Sequence, residues 1–118
     1  MIYPEIRRIQ SPDLEPPNLP EDPSDCEIHF EVLVGPKDGE GEEAFSFTVV
    51  TPLSLARSSE PQWGRGKLLV PKFDWPAVAQ AIAQLFARCA CPTWREVKVE
   101  LNKELLSQFD DANPTASQ

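Results

Sequence analysis

Three cysteines, one histidine and scattered carboxylates are the residues that could do chemistry in this chain of 118 residues. Cys89 and Cys91, one residue apart, invite a metal reading. A closed structural zinc site needs four converging ligands, so two more must be found. The remaining candidates are Cys26 and His29. They stand in residues 26–34, where Cys26, Ile28, Phe30, Val32 and Val34 alternate with Glu27, His29, Glu31 and Leu33. Such alternation is a half-buried strand whose two sets face opposite ways. Cys26 and His29 therefore point apart and cannot both reach one ion. Cys89 also serves as a small apolar residue in a helical stripe, and the Cys-x-x-Cys spacing of a redox dithiol is absent. No metal and no cofactor are expected.

With a single histidine, nucleophilic catalysis would need a serine or cysteine beside His29, and nothing around it has the form of a nucleophile elbow or a catalytic-cysteine motif. His29 reads as a cross-strand residue between Glu27 and Glu31. The paired carboxylates Glu42-Glu43 and Asp110-Asp111 lie in a loop and a tail, where solvated charge is the ordinary role. Gly64-Arg65-Gly66-Lys67 lacks the full spacing of a phosphate loop and leads into a strand rather than a helix. No enzyme emerges. Trp63 sits in the same loop with Gln62 and Arg65 beside it. An exposed Trp with a neighbouring Arg is the composition of an interface anchor; the alternative is that Trp63 folds back over the sheet edge.

The elements that must carry these residues follow from pattern. Residues 1–25 contain six prolines among many acids, which predicts an extended arm on the domain surface rather than helix or sheet. Residues 26–34 form the first strand. Residues 35–43, with three glycines, a proline and four acids, read as a hairpin loop. Phe45, Phe47 and Val49 then alternate along a second, antiparallel strand over 44–50, which Thr51-Pro52 ends. Residues 53–65 read as a loop containing a helical turn near 53–57, and 66–71 as a third strand. Residues 75–89 form the organising helix, capped by Asp74 with Pro76 in its first turn; Trp75, Val78, Ala79, Ile82, Leu85, Phe86 and Cys89 make one apolar stripe. Thr93 and Glu96 form a capping box opening a second helix over 94–107, with Trp94, Val97, Leu101 and Leu105 on one face. Three or four strands followed by two helices predict a two-layer α+β domain, an antiparallel sheet packed on two C-terminal helices. The division expected is an arm at 1–25, a single domain at 26–109 and a polar tail at 110–118. The expected core is Ile28, Phe30, Val32, Phe45, Phe47, Val49, Leu69, Val78, Ile82, Leu85, Phe86, Trp94, Val97 and Leu101.

The formal net charge is −8 and unevenly placed. Residues 1–60 hold 4 Lys+Arg against 13 Asp+Glu, net −9; residues 61–118 hold 7 against 6, net +1. An acidic half disfavours nucleic acid as a ligand and favours a basic partner, whose approach it would speed. Solubility is the competing explanation. No apolar run is long enough to span a bilayer, and the start MIYPEIRRIQ lacks a signal-peptide core, so a cytoplasmic protein with reduced thiols is expected.

Several short motifs stand in a telling order: a proline-rich acidic start, Val34-Gly35-Pro36, Glu40-Gly41, Phe45-Ser46-Phe47-Thr48-Val49 with Thr51-Pro52, Trp63-Gly64-Arg65-Gly66-Lys67-Leu68-Leu69-Val70, Phe73-Asp74 and Thr93-Trp94. Together they resemble the immunity protein 8 family of bacterial polymorphic-toxin, or contact-dependent inhibition, systems. One departure is visible. Family members close on an acidic stretch of the Trp-x-Phe-Glu-Asp-Tyr kind, whereas Ser107-Gln108-Phe109-Asp110-Asp111-Ala112 keeps Phe and acid but lacks Trp and Tyr.

The resemblance implies a small cytoplasmic protein that binds and blocks a toxin delivered by a neighbouring cell. Charge then nominates the contact residues: Glu27, Glu31, Asp38, Glu40, Glu42 and Glu43, with Trp63 and the Asp110-Asp111 end. The partner expected is a cognate toxin domain, with a nuclease as a natural candidate for a basic cleft. The alternative is an adaptor or structural interaction domain whose acidity serves solubility.

Overall fold

Alternation of apolar and polar residues builds the centre of the molecule. The computed structural model describes residues 1–16, 18–58 and 60–107. Strands β2 (Glu27–Pro36) and β3 (Glu43–Val50) pair antiparallel, with Phe30 opposite Phe47, Val32 opposite Phe45 and Ile28 opposite Val49. Side chains alternate across a strand, so these residues share one face, and all are buried. The opposite face carries Glu27, His29, Glu31 and Leu33 beside Ala44, Ser46 and Thr48.

The start of the chain departs from the expected surface arm. Residues Pro4–Gln10 form strand β1, paired antiparallel with β2, Ile6 opposite Val34 and Ile9 opposite Val32. Ile6 and Ile9 are three residues apart, an odd spacing that would put them on opposite faces of a regular strand. The register shifts between Ile6 and Arg8, and this bulge at Arg7 turns both isoleucines toward the core. Pro4 is tolerated because it opens an edge strand. Residues beyond β1 do run along the surface. They are tied down where the Trp75 indole Nε1 donates to the Asn18 carbonyl at 2.7 Å and the Phe73 amide donates to the Pro23 carbonyl at 2.7 Å.

After β3, helix α1 (Pro52–Ala56) is capped by Thr51, whose hydroxyl accepts the Ser54 amide. Strand β4 (Lys67–Leu69) then pairs with β3, and the pairing is parallel. The expected all-antiparallel sheet is corrected here: α1 and the loop behind it carry the chain back along the sheet, so β4 starts beside Thr48 and runs with β3. The register sets Leu68 opposite Val49, on the core side. Leu69, expected in the core, faces the other way and is 57% exposed.

Helix α2 (Trp75–Arg88) buries Val78 and Phe86, and Cys89 at its end is buried too. Asp74 occupies the N-cap, but its side chain makes no capping hydrogen bond; the first turn closes through the Val78 amide on the Asp74 carbonyl at 3.0 Å. Helix α3 (Trp94–Leu101) begins at the predicted cap, the Thr93 hydroxyl accepting the Glu96 amide at 3.2 Å, and buries Val97 and Leu101. It is shorter than the 94–107 expected. The Asn102 side-chain oxygen accepts the Ser107 amide at 3.0 Å, a local bond that competes with continued helix, and strand β5 (Leu106–Ser107) then pairs with β3.

The result is a mixed five-stranded sheet in the order β1-β2-β3-β4, with β5 also beside β3, and with α2 and α3 packed through a shared apolar core on one face. This is the predicted two-layer α+β class. Ile82 and Leu85 are only half-buried, because a cleft of about 390 Å³ opens between α2 and β4 and reaches them; Trp94 is half-buried as well.

The two faces should differ sharply in unfolding experiments. Phe30→Ala removes a fully buried ring and is expected to cost about 3–5 kcal/mol, whereas Leu69→Ser should stay within about 0.5 kcal/mol. Equal shifts in urea unfolding would show the register of the sheet to be wrong.

Candidate functional site

The acidic surface nominated by sequence resolves into separate places. Residues 37–42 connect β2 to β3 and hold Asp38, Glu40 and Glu42, all exposed. This turn is braced from behind by Arg7, the bulge residue of β1. Its guanidinium donates to the Pro36 carbonyl at 2.6 Å and to the Gly39 carbonyl at 2.8 Å, and also pairs with Glu5 at 3.3 Å. Gly35 makes the brace possible: a Cβ there would lie 2.5 Å from the Gly41 oxygen and 2.8 Å from the Arg7 guanidinium carbon. Gly41 has φ +111, a region that glycine enters without steric cost.

Glu43 is one residue further and behaves differently. It stands opposite Val34, on the helical side, and its carboxylate pairs with Lys98 of α3 at 3.4 Å. Glu27 and Glu31 lie on the opposite sheet face, and Glu27 is separated from the turn by most of a ten-residue strand, roughly 25–30 Å. Glu31 accepts from Gln10 at 3.4 Å. Trp63 is 93% exposed in the loop before β4. Asp110 and Asp111 lie outside the described residues. The nominated residues thus form one compact acidic turn and several remote points.

His29 has a neighbour that sequence reading missed. Its Nδ1 lies 3.3 Å from the Thr48 hydroxyl across the β2–β3 ladder, and its Nε2 lies 4.0 Å from Glu31. The order hydroxyl, imidazole, carboxylate has the outline of a catalytic relay, and the strand register alone could have found it. Acyl transfer also needs free N–H donors for the oxyanion. The Thr48 amide is instead committed to the Gly66 carbonyl at 2.8 Å. The His29 backbone is fixed by the Asp13 carboxylate, which accepts its amide at 2.9 Å, and by the Ser11 hydroxyl, which donates to its carbonyl.

Cys26 is buried on the core face while His29 faces the other side. Among the described residues no group of three or more His, Cys, Asp or Glu side chains converges as a metal site would require. Burial pushes the Cys26 and Cys89 thiols up, with Asp22 and Asp25 adding to the shift at Cys26 and Glu100 at Cys89. Both therefore stay protonated at neutral pH. No helix among the described residues is long and apolar enough to cross a membrane.

Fold and surface together define a small α+β protein that displays a braced acidic turn at one end of its central hairpin and an aromatic-bearing loop leading into β4. The family model for Immunity protein 8 matches residues 5–111, and the chain belongs to that family. No curated protein and no solved structure matches it.

Two measurements check this surface. Gly35→Ala should destabilise the protein by about 1–3 kcal/mol through overpacking and accelerate amide exchange across residues 37–42; an unchanged turn would contradict the Arg7 brace. The thiols give a pH dependence: a raised pKa means the unfolded chain loses its protons first. Stability should therefore hold below roughly pH 8.5, the ordinary thiol value, and decline above it. Cys26→Ala combined with Cys89→Ala should flatten the decline between pH 8 and 9.5, read as urea midpoints.

Proposed function

We propose that this protein neutralises a cognate toxin by stoichiometric binding in the cytoplasm of the producing cell, without catalysis of its own. Membership of the immunity protein family supports a toxin as partner. The observation that carries the surface is the acidic turn: Asp38, Glu40 and Glu42 project from a loop whose backbone Arg7 holds in place. A loop ordered before contact loses little entropy on binding. Clustered exposed carboxylates favour a basic partner surface, and the toxins that fit best act on nucleic acid, since their clefts must hold phosphates. An acidic turn competes for that cleft.

Exposed charges act mainly on encounter and are screened beyond about 8 Å at physiological ionic strength. The informative variant is Asp38→Lys with Glu40→Lys and Glu42→Lys. Glu43 stays, because its reversal would leave Lys98 facing a like charge. The probe is the C-terminal domain of the protein encoded directly upstream, inactivated in its catalytic residues. The reversed protein should associate at least about tenfold more slowly at low salt, the gap closing as salt rises, and should protect cells expressing the active toxin less well. Association at the wild-type rate at low salt would remove the turn from the contact, and a wild-type protein that neither binds nor protects would overturn the function itself.

A further inference from the structure

Around the outer edge of β4 the surface changes character. Trp63 is 93% exposed, Leu69 57% and Leu55 41%. Leu55, Gln62 and Lys67 line one depression with Val50, and Leu69 stands opposite Val50 in register. Leu55 and Leu69 therefore gather about Val50 at one edge rather than scattering singly, as surface apolar residues ordinarily do, and Trp63 stands in the loop that leads to that edge.

Trp63 is held out by a loop fastened on both sides. Gln62 donates to the Ser58 hydroxyl at 2.7 Å and accepts from the Lys67 ammonium. Arg65 donates from Nε to the Asn102 carbonyl at 2.9 Å and from Nη2 to the Asn102 side-chain oxygen at 2.8 Å, with a further contact to the Leu105 carbonyl at 3.4 Å. The Gly66 amide donates to the Glu104 carbonyl at 2.9 Å, and the missing side chain of Gly66 admits Leu106, whose Cγ would be 2.8 Å from a Cβ there. Between these fastenings the indole makes no ring contact or hydrogen bond among the described residues. An exposed Trp without such contacts adds little to the fold, and it is the side chain most enriched among binding hot spots.

The loop into β4 is more basic than the turn, with Glu27 lining the same depression as Lys67. Residues 57–69 hold Arg57, Arg65 and Lys67 against Glu60. Arg57 pairs with Asp25, while neither Arg65 nor Lys67 has a carboxylate partner among the described residues. We propose that Trp63, in the loop that leads to the β4 edge, is the anchor of the toxin contact and enters an apolar pocket rimmed by carboxylates on the toxin domain. This rests on the toxin-neutralising reading and adds a second contact point, one that carries Arg65 and Lys67. The acidic turn follows Pro36 at one end of the hairpin, and β4 lies beside Thr48–Val50 at the other. The turn steers the encounter; the tryptophan edge holds the complex.

The test measures binding of wild type, Trp63→Ala, Lys67→Glu and the turn-reversed protein to the inactivated toxin domain encoded upstream, by calorimetry and by association and dissociation rates. Trp63→Ala should leave the melting temperature unchanged and raise Kd roughly 30-fold or more, mainly through faster dissociation. Lys67→Glu should weaken binding in the same direction. If wild type binds and Trp63→Ala binds within about twofold of it, the anchor is refuted while the toxin reading stands. If wild type does not bind, both fall. A wild-type dimer that Trp63→Ala converts to monomer would assign the edge to a second copy of this chain and refute the proposal.

Discussion

Everything in this fold is arranged around the ring of Phe30. It is fully buried, stacks on Phe47 at 5.4 Å and on Phe73 at 6.4 Å, and takes the edge of Trp75 at 5.6 Å. Those contacts join four segments: β2, β3, the approach to α2, and the first turn of α2. Aromatic pairs in such stacked and edge-on arrangements contribute beyond their buried area. Trp75 also reaches outward through its indole N–H to the Asn18 carbonyl, so the same cluster fixes the proline-rich segment to the surface. The missing side-chain cap at Asp74 matters little, because packing rather than capping sets where α2 begins.

A core of this kind covers one face of the sheet. The other face keeps Glu27, His29, Glu31, Leu33, Thr48, Lys67 and Leu69 exposed or half-exposed, so the sheet presents charged and apolar groups to solvent there. Rigidity reaches the edges by a few polar fastenings. Thr51 is one: fully buried, its hydroxyl accepts the Cys26 amide at 3.0 Å and so locks the end of β3 to the start of β2. Arg7 is another, spending its guanidinium on carbonyls of the turn. Arg65 is the third, gripping the end of α3. The basic residues of this acidic protein thus order its backbone as much as they balance its charge.

Much of the architecture was legible because it depends on periodicity. Period-two alternation placed β2 and β3 and their buried face; helical spacing placed α2 and the start of α3, where Thr93 and Glu96 announce themselves by type and distance. The order of short motifs pointed to the family, which the match over residues 5–111 bears out. Local signals of this sort survive because each residue's role is set by neighbours within a turn or two.

What only tertiary structure decided were the features that depend on partners distant in sequence. The bulge at Arg7 reverses the phase of β1, so Ile6 and Ile9 defeat an alternation count and the strand reads as an arm. The direction of β4 depends on the path of the chain between Val50 and Lys67, and with it whether Leu68 or Leu69 is inside. Glu43 and Glu42 look alike in sequence, yet strand parity sends Glu43 to Lys98 and leaves Glu42 in solvent. α3 stops at Leu101 because Asn102 finds Ser107 and Arg65, a bond no helical pattern foretells. Sequence by itself determined which residues seek burial and at what period. Long-range pairing chose which of those faces was filled and which charges stayed in solvent, because register, bulges and buried polar bonds are decided between segments and not within them.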